Sequence, residues 1–162
     1  MNAVCEYVTQ FAETAGAFCA WCESPASEGD REVQAAVWLA RLHSAALLLP
    51  SAEPENEDGL PELPRKHLDA ATSNLRYFAG WYYRTLFDPD PVNCNEPVIG
   101  DVGDDLLDTY KDVKAGLLLY VGGSLENALW HWSFMHEVHW GKHAVDAMVA
   151  LQAHRSRVQS PA

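Results

Sequence analysis

The sequence predicts an all-α protein, a single-domain bundle of four to five helices. Apolar residues recur at spacings of three and four along most of the chain, which is the periodicity of one face of a helix. Prolines and glycines fall between these stretches and divide them into separate helices. No segment has the alternating pattern and turn signals of a convincing strand. The 162 residues suit one hydrophobic core.

The first two helices are predicted on either side of Pro25. A stripe of apolar side chains predicts a helix over Ala3–Glu23, which Pro25 ends. The second helix is expected to begin near Ser27 or Asp30, because either side chain can cap a helix N-terminus. Pro50 stops it, since proline cannot continue a helix.

Two proline-rich segments are predicted as loops. Residues 50–64 hold four prolines and four glutamates, which predicts a flexible, exposed acidic loop. A third helix is expected over Arg65–Leu86, followed by a second loop at residues 87–100 with three prolines. About fifty residues before the first loop are too few to fold alone, so we interpret residues 1–162 as one domain.

The last two helices are predicted to form an antiparallel hairpin. Helix four should begin within residues 101–104 and run to Val121, where the Gly122–Gly123 pair provides a stop and a short turn. Helix five, capped by Ser124, should reach about Arg155. It is apolar on two sides, which predicts either the centre of the bundle or a self-association interface.

Composition excludes several classes of function. The net charge is −12, and the eleven Lys and Arg residues are scattered. No basic face is available to neutralise phosphates, so nucleic-acid binding is not expected. No apolar stretch is long enough to span a membrane, and the N-terminus lacks the pattern of a secretory signal. We therefore expect no membrane association and a cytoplasmic location.

The spacing of two cysteines suggests zinc or redox chemistry but is better explained by packing. Cys19 and Cys22 form a CxxC pair, which could bind zinc or act as a redox couple. No second CxxC completes a zinc site, no βαβ pattern surrounds the pair, and Cys22 lies on the apolar stripe of helix one. We interpret both as buried, reduced thiols that pack as small hydrophobic groups.

Three histidines near the C-terminus carry the strongest functional signal. His136, His139 and His143 are spaced by three and four residues, so they are neighbours on one side of helix five. About 10.5 Å of helix rise separates the first from the last, so all three are not expected to bind one ion. The best metal-binding pairs are His139 with His143 and His136 with His139, completed by carboxylates from another helix.

A row of aspartates in helix four is the obvious source of those carboxylates. The row consists of Asp101, Asp104, Asp105, Asp108 and Asp112. Residues 104–108 also match the DDxxD string of magnesium-binding prenyl-diphosphate enzymes, but the second acidic motif of those enzymes is missing. Acidic groups at a helix N-terminus are also stabilised by the helix dipole, by ~0.3–1 kcal/mol each. Asp112 lies two turns inside the helix and is not explained in this way.

Two interpretations of this cluster remain open. In the first, the imidazoles fill the core and hydrogen-bond to aspartates, Tyr110 or backbone, in a non-enzymatic interaction or regulatory protein that binds a protein partner or itself. We favour it because neither a complete ligand set nor a nucleophile motif can be written. In the second, the cluster holds a divalent metal, in a metal-binding protein or metal-dependent hydrolase. Trp132 and Trp140 either line the site or pack in the core.

Two segments in the last third resemble a bacterial family catalogued as domain of unknown function 5063. They are an Asp-rich GDDLxDxYxDxK at residues 103–114 and a WxW…HWGxHAxDA at residues 130–147, within about fifty-five residues of resemblance. The resemblance implies a small all-helical bacterial protein and supplies no activity. It also implies that the aspartates and histidines belong to one unit, with the signature Asp104, Asp105, Asp108, Tyr110, Asp112, Trp132, His139, Trp140 and His143.

Overall fold

The computed structural model of this chain describes residues 3–24, 29–56, 59–90, 92 and 96–159. It is mostly helical, which confirms the predicted class in outline. In chain order the elements are α1 (Ala3–Glu23), α2 (Arg31–Ala46), α3 (Arg65–Leu75) with a following 3₁₀ turn (Arg76–Phe78), β1 (Tyr82–Thr85), β2 (Val98–Asp101), α4 (Val102–Val121), α5 (Leu125–Met135), a π-helical turn (His136–Trp140) and α6 (Gly141–Gln159).

The two N-terminal helices follow the sequence pattern. α1 has the predicted bounds and buries Phe11 and Phe18 completely. α2 is capped by Asp30, whose carboxylate accepts hydrogen bonds from the backbone N–H groups of Glu32 and Val33. The alternative cap, Ser27, lies outside the described residues. Helix ends that follow from local capping chemistry are thus where the sequence places them.

The main error in the predicted fold is that no strands were expected, whereas the structure contains two. The third helix ends at Leu75 instead of Leu86, and β1 pairs antiparallel with β2, with Tyr82 opposite Asp101. Gly80 takes a positive φ of 82°, and its N–H donates to Asp101 Oδ2 at 2.7 Å. A side chain would strain that backbone conformation, so the turn depends on glycine. The strand pairing joins distant residues and leaves no local periodicity to detect.

The predicted fifth helix is not one regular helix. Between α5 and α6 the π-helical turn inserts an additional residue, and the N–H of Gly141 bonds to the carbonyl of His136. A Cβ at position 141 would lie 2.2 Å from that carbonyl oxygen, so the turn requires glycine there. One inserted residue changes the facing of the following side chains by about 100°. The helix begins where the sequence predicts, with Ser124 at the N-cap position, but the Ser124 side chain makes no capping hydrogen bond.

The core is built round aromatic side chains from several helices. Its largest fully buried members include Phe11, Phe78, Tyr110, Trp132 and Trp140. The Trp132 indole lies over Gly116 of α4 and donates to the carbonyl of Val113 at 3.0 Å. A Cβ on Gly116 would meet the indole nitrogen at 2.2 Å, so this close approach of α5 to α4 is possible only with glycine.

The second apolar side of the last helix is not buried in the chain. Phe134, Val138, Val145 and Val149 are exposed, and Val149 keeps 63% of its surface accessible. The prediction that this helix occupies the centre of the bundle is therefore wrong. Self-association through this side stays a prediction. Among the described helices, none combines the length and apolar character needed to cross a bilayer.

The first predicted loop and the cysteines agree with the sequence where they are described, whereas the second predicted loop, residues 87–100, is wrong at its end because β2 begins at Val98. Within residues 50–64, the described residues 50–56 and 59–64 form no helix or strand. This loop contacts α5, where the backbone N–H of Glu55 donates to Asn127 Oδ1 at 2.8 Å. Its flexibility stays a prediction. Cys19 and Cys22 are free and buried, and burial raises the pKa of the Cys19 thiol to about 12. The prediction of structural thiols is confirmed for this pair.

Candidate functional site

Two histidine–aspartate pairs join α4 to the helical segment that ends the chain. His143 Nδ1 lies 2.7 Å from Asp105 Oδ1, and His139 Nδ1 lies 2.6 Å from Asp112 Oδ2. An ionised carboxylate only accepts hydrogen bonds, so each Nδ1 carries the proton and donates it. Each ring is thereby fixed in orientation, and Nε2 is left as the nitrogen that can bind a ligand.

Asp108 lies between these two pairs. One ligand atom each from Asp108, His139 and His143 can be chosen so that all three lie within 4.8 Å of one another. Their side chains are 31%, 41% and 32% exposed, whereas those of Asp112 and Asp105 are only 15% and 6% exposed. The three candidate ligands thus face solvent, and the two carboxylates that orient the imidazoles lie behind them.

Helix geometry explains which aspartates take part. Asp105, Asp108 and Asp112 are spaced by three and four residues and share one face of α4. Asp104, one residue before Asp105, is about 100° from it round the helix, is exposed, and forms no hydrogen bond or ion pair with either histidine. Of the predicted row, Asp105, Asp108 and Asp112 therefore lie at the two histidines, whereas Asp104 is exposed and Asp101 caps α4.

A tyrosine from the sheet completes the environment of Asp105. The hydroxyl of Tyr83 in β1 donates to Asp105 Oδ2 at 2.5 Å. Burial, and then this hydrogen bond, raises the pKa of Tyr83 far above its ordinary range. The hydrogen bond to Asp105 also raises the pKa of His143 against the opposing effect of burial. Tyr83 packs against Gly100, where a Cβ would lie 2.4 Å from the ring.

A lysine competes for the outer aspartate. Lys111 Nζ lies 2.9 Å from Asp108 Oδ1, in an ion pair one turn along α4. Among the described residues, no hydrogen bond to Asp108 Oδ2 is formed. Any cation that binds Asp108 must therefore share this carboxylate with an ammonium group or displace it.

His136 is not part of this cluster. Its Nε2 lies 3.0 Å from Nδ1 of His43 in α2, and its ring packs on Trp140. Burial, and then the neighbouring His43, lowers the pKa of His136 to about 4. The interpretation of His136 as a metal ligand beside His139 is wrong, because the π-helical turn directs it towards α2.

Tyr110 belongs to a second polar cluster. Its hydroxyl donates to Glu23 Oε1 at 2.8 Å, and Lys114 and His67 bind the same carboxylate at 2.6 Å each. Burial acts to raise the pKa of Glu23, but the hydrogen bonds from Lys114, His67 and Tyr110 outweigh it and lower the pKa. The cluster links α1, α3 and α4, and it replaces the predicted pairing of Tyr110 with the histidines.

The two tryptophans predicted near the site are core residues. Trp132 and Trp140 are completely buried, and both pack against Phe11 of α1. Neither ring is exposed to a ligand beside His139 and His143. Their role is to fix the segment that carries the histidines, which is the core interpretation given above.

The sequence contained no usable signal for Tyr83. It lies in a stretch predicted as helix, and its partner Asp105 is contributed by a helix that follows a strand and a loop. The buried hydroxyl and the close glycine, Gly100, become visible only when β1 and β2 are paired. Once the strand is assigned, Tyr83 and Trp81 are expected on the same face of the sheet, because side chains alternate along a strand.

Comparisons with known proteins give the fold and the family. No curated protein matches the chain. The crystal structure of protein BF1032 from Bacteroides fragilis is similar, with a TM-score of 0.74 and 21% identity over 96% of this chain and 95% of that one. At that identity the likeness shows the fold alone. The model of the family described as Domain of unknown function (DUF5063) matches residues 2–157, well beyond the last third that carried the resemblance. The chain belongs to this family.

Proposed function

We propose that the protein binds a divalent transition metal through Asp108, His139 and His143. The observation that carries this proposal is the pair of imidazoles whose Nδ1 atoms are each held by a buried carboxylate beside a third, exposed carboxylate. Metal-binding histidines almost always donate their second ring N–H to such a group, which fixes the tautomer and strengthens the ligand. A structural network alone would not require both rings to keep Nε2 free.

The ligand set favours zinc as the first ion to test. Two imidazoles and one carboxylate suit zinc and similar transition metals, whereas magnesium prefers oxygen ligands throughout. Ligand atoms on a tetrahedral zinc lie about 3.4 Å apart at bond lengths of about 2.1 Å. The ligand atoms now lie within 4.8 Å of one another, so some would have to approach by up to about 1.4 Å, which small side-chain rotations of the partly exposed ligands allow.

The order of the contacts along the two segments also supports an antiparallel hairpin of α4 with the helical segment that follows it. Trp132 bonds to Val113, while His143, further along the chain, bonds to Asp105, nearer the start of α4. We therefore treat residues 102–159 as the unit that builds the site, within one domain round a common hydrophobic core. The sheet contributes Tyr83 to this unit.

Hydrolysis is a second candidate function. Three protein ligands would leave one position of a tetrahedral zinc for water, and catalytic zinc sites have this composition. The competing candidate is the interaction or regulatory protein favoured by the sequence, in which the same hydrogen bonds act as structure alone. These alternatives differ first in whether the protein binds metal at all.

The test is metal stoichiometry and affinity on the full chain. Protein freed of metal with a chelator is titrated with zinc, manganese and magnesium by calorimetry, and the recovered complex is analysed for metal content. We expect one equivalent of zinc, with a rise in melting temperature. Absence of both stoichiometric metal and a thermal shift for all three ions would leave only the structural network.

A matched pair of substitutions locates the site. Asp108→Asn removes a candidate ligand, and Asp104→Asn makes the same change one turn earlier on α4, outside the cluster. We expect only the first to weaken zinc binding. Lys111→Met should strengthen it, because the competing ammonium 2.9 Å from Asp108 is removed. Equal affinities in all three variants would exclude Asp108 as a ligand.

A further inference from the structure

A cleft between the sheet and α6 lacks acidic residues although the chain is rich in them. It encloses about 650 Å³ and is lined by β1, the residues before it, Val102 and the last turns of α6. Aspartate and glutamate outnumber lysine and arginine by 23 to 11 in the chain, yet no carboxylate lines this cleft. Asp101, close by, is occupied by the N–H groups of Gly80 and Gly103.

Two arginines line the cleft without a partner. Arg84 and Arg157 are exposed and form no ion pair with any residue that the structure describes. Among the described ion pairs, only four of the eleven lysines and arginines bind a carboxylate, namely Arg65, Lys111, Lys114 and Lys142. In a chain of net charge −12, two unpaired guanidinium groups at one cleft give that region a local positive potential.

The body of the cleft is aromatic. The rings of Trp81 and His154 are in contact, with centroids 4.3 Å apart and planes tilted by 34°, and both residues line the cleft. Tyr82 and Val149 at its edge keep 71% and 63% of their surface exposed, so folding leaves apolar area there to be covered by a ligand. Flat aromatic surfaces favour a flat apolar group, by stacking or edge contact.

From these observations we infer that the cleft binds a small organic anion whose carboxylate or phosphate is carried on a planar apolar body. A guanidinium matches either anion with two parallel hydrogen bonds, so Arg84 and Arg157 supply the charge recognition. The rings of Trp81, Tyr82 and His154 supply the apolar wall. The inference does not require metal, although Tyr83 lines the cleft and also donates to Asp105, which orients His143 of the proposed metal site.

The test uses metal-free protein, so its result is independent of the metal proposal. Benzoate and phenyl phosphate are titrated into the full chain by calorimetry, with benzamide as the neutral planar control and acetate as the anion without a ring. We expect saturable binding of benzoate, phenyl phosphate or both, and the tighter probe identifies the anionic group. Failure of both to bind at millimolar concentration, or equal binding of benzamide or acetate, would overturn the inference.

Arginine substitutions assign the binding to this cleft. The double variant Arg84→Gln/Arg157→Gln should weaken binding of the better probe by about tenfold or more, since charged hydrogen bonds are lost. Arg65→Gln is the matched control, because Arg65 is exposed on α3 and does not line the cleft. All three positions are exposed, so the variants should fold, which circular dichroism checks. Unchanged affinity in the double variant would refute the assignment.

Discussion

Replacement of Asp112 by asparagine tests whether the buried carboxylates orient metal ligands. The Asp112 side chain is 15% exposed and accepts the Nδ1 proton of His139 at 2.6 Å. Its backbone carbonyl separately binds His131 at 3.0 Å, a contact that the substitution leaves in place. Asparagine has the same shape but no charge, so its Oδ1 holds the Nδ1 proton more weakly, and its NH₂ can instead donate to Nδ1 and leave the proton on Nε2. In that tautomer Nε2 cannot bind a metal.

The size of the effect follows from the role of such a group. Loss of a second partner of a metal-binding histidine weakens metal affinity by about 10–100-fold, which is about 1.4–2.7 kcal/mol. For a chain of this size, each kcal/mol shifts the melting temperature by about 2–4 °C. The rise in melting temperature on adding zinc should therefore be smaller in Asp112→Asn than in the wild type by about 3–11 °C.

Asp146→Asn is the matched control for this measurement. The Asp146 side chain is 18% exposed and accepts hydrogen bonds from Thr85 and Lys142, but it forms no hydrogen bond or ion pair with His139 or His143. Calorimetry with zinc and melting curves with and without zinc are recorded for both variants. A loss of zinc affinity in Asp146→Asn as large as in Asp112→Asn would refute orientation of His139 as the cause. Wild-type affinity in Asp112→Asn would refute it as well.

Two further predictions concern stability and are read from urea denaturation. Gly116→Ala should lower the free energy of unfolding by about 1–3 kcal/mol, because the added methyl group displaces the Trp132 indole. Gly16→Ala, in open space on α1, should raise it by about 0.5–1 kcal/mol. Equal effects of the two substitutions would contradict the close packing of Trp132 on Gly116. Burial, and then the neighbouring His43, lowers the pKa of His136 in the folded protein to about 4. In the unfolded chain this imidazole takes up a proton near pH 6.5. The free energy of unfolding of the wild type therefore falls as the pH is lowered from about 6.5 to about 4. His136→Gln should lose less over that range, and an unchanged pH dependence would show that His136 is not the cause.

The site was predictable in type but not in membership. Helical spacing identified Asp108, His139 and His143 as candidates, because neighbours at three and four residues share a face. The same reasoning included Asp104 and His136, which lie elsewhere. Asp104 and Asp105 are adjacent in the sequence, and each lies three or four residues before Asp108, so helical spacing does not distinguish them. For His136 the cause is the π-helical turn, which no periodic pattern contains.

The small sheet shows the limit of local patterns more clearly. Trp81, Tyr82 and Tyr83 supply apolar residues that fit either a helix or a strand, and short apolar runs cannot be told apart by periodicity. Residues 82–85 form a strand because Val98–Asp101 pairs with Tyr82–Thr85 across a long connection. That pairing brings the Tyr83 hydroxyl to Asp105, which no sequence spacing indicates.

The sequence by itself determined the helical class, the ends of α1, Asp30 as one of two candidate caps of α2, the loop at residues 50–64 and the buried state of Cys19 and Cys22. These features depend on capping, proline geometry and apolar periodicity, all of which act within a few residues. Only the tertiary structure decided which aspartate meets which histidine, and that an unpaired pair of arginines faces an aromatic cleft. Such contacts join residues far apart in the chain, and their geometry depends on how whole elements pack.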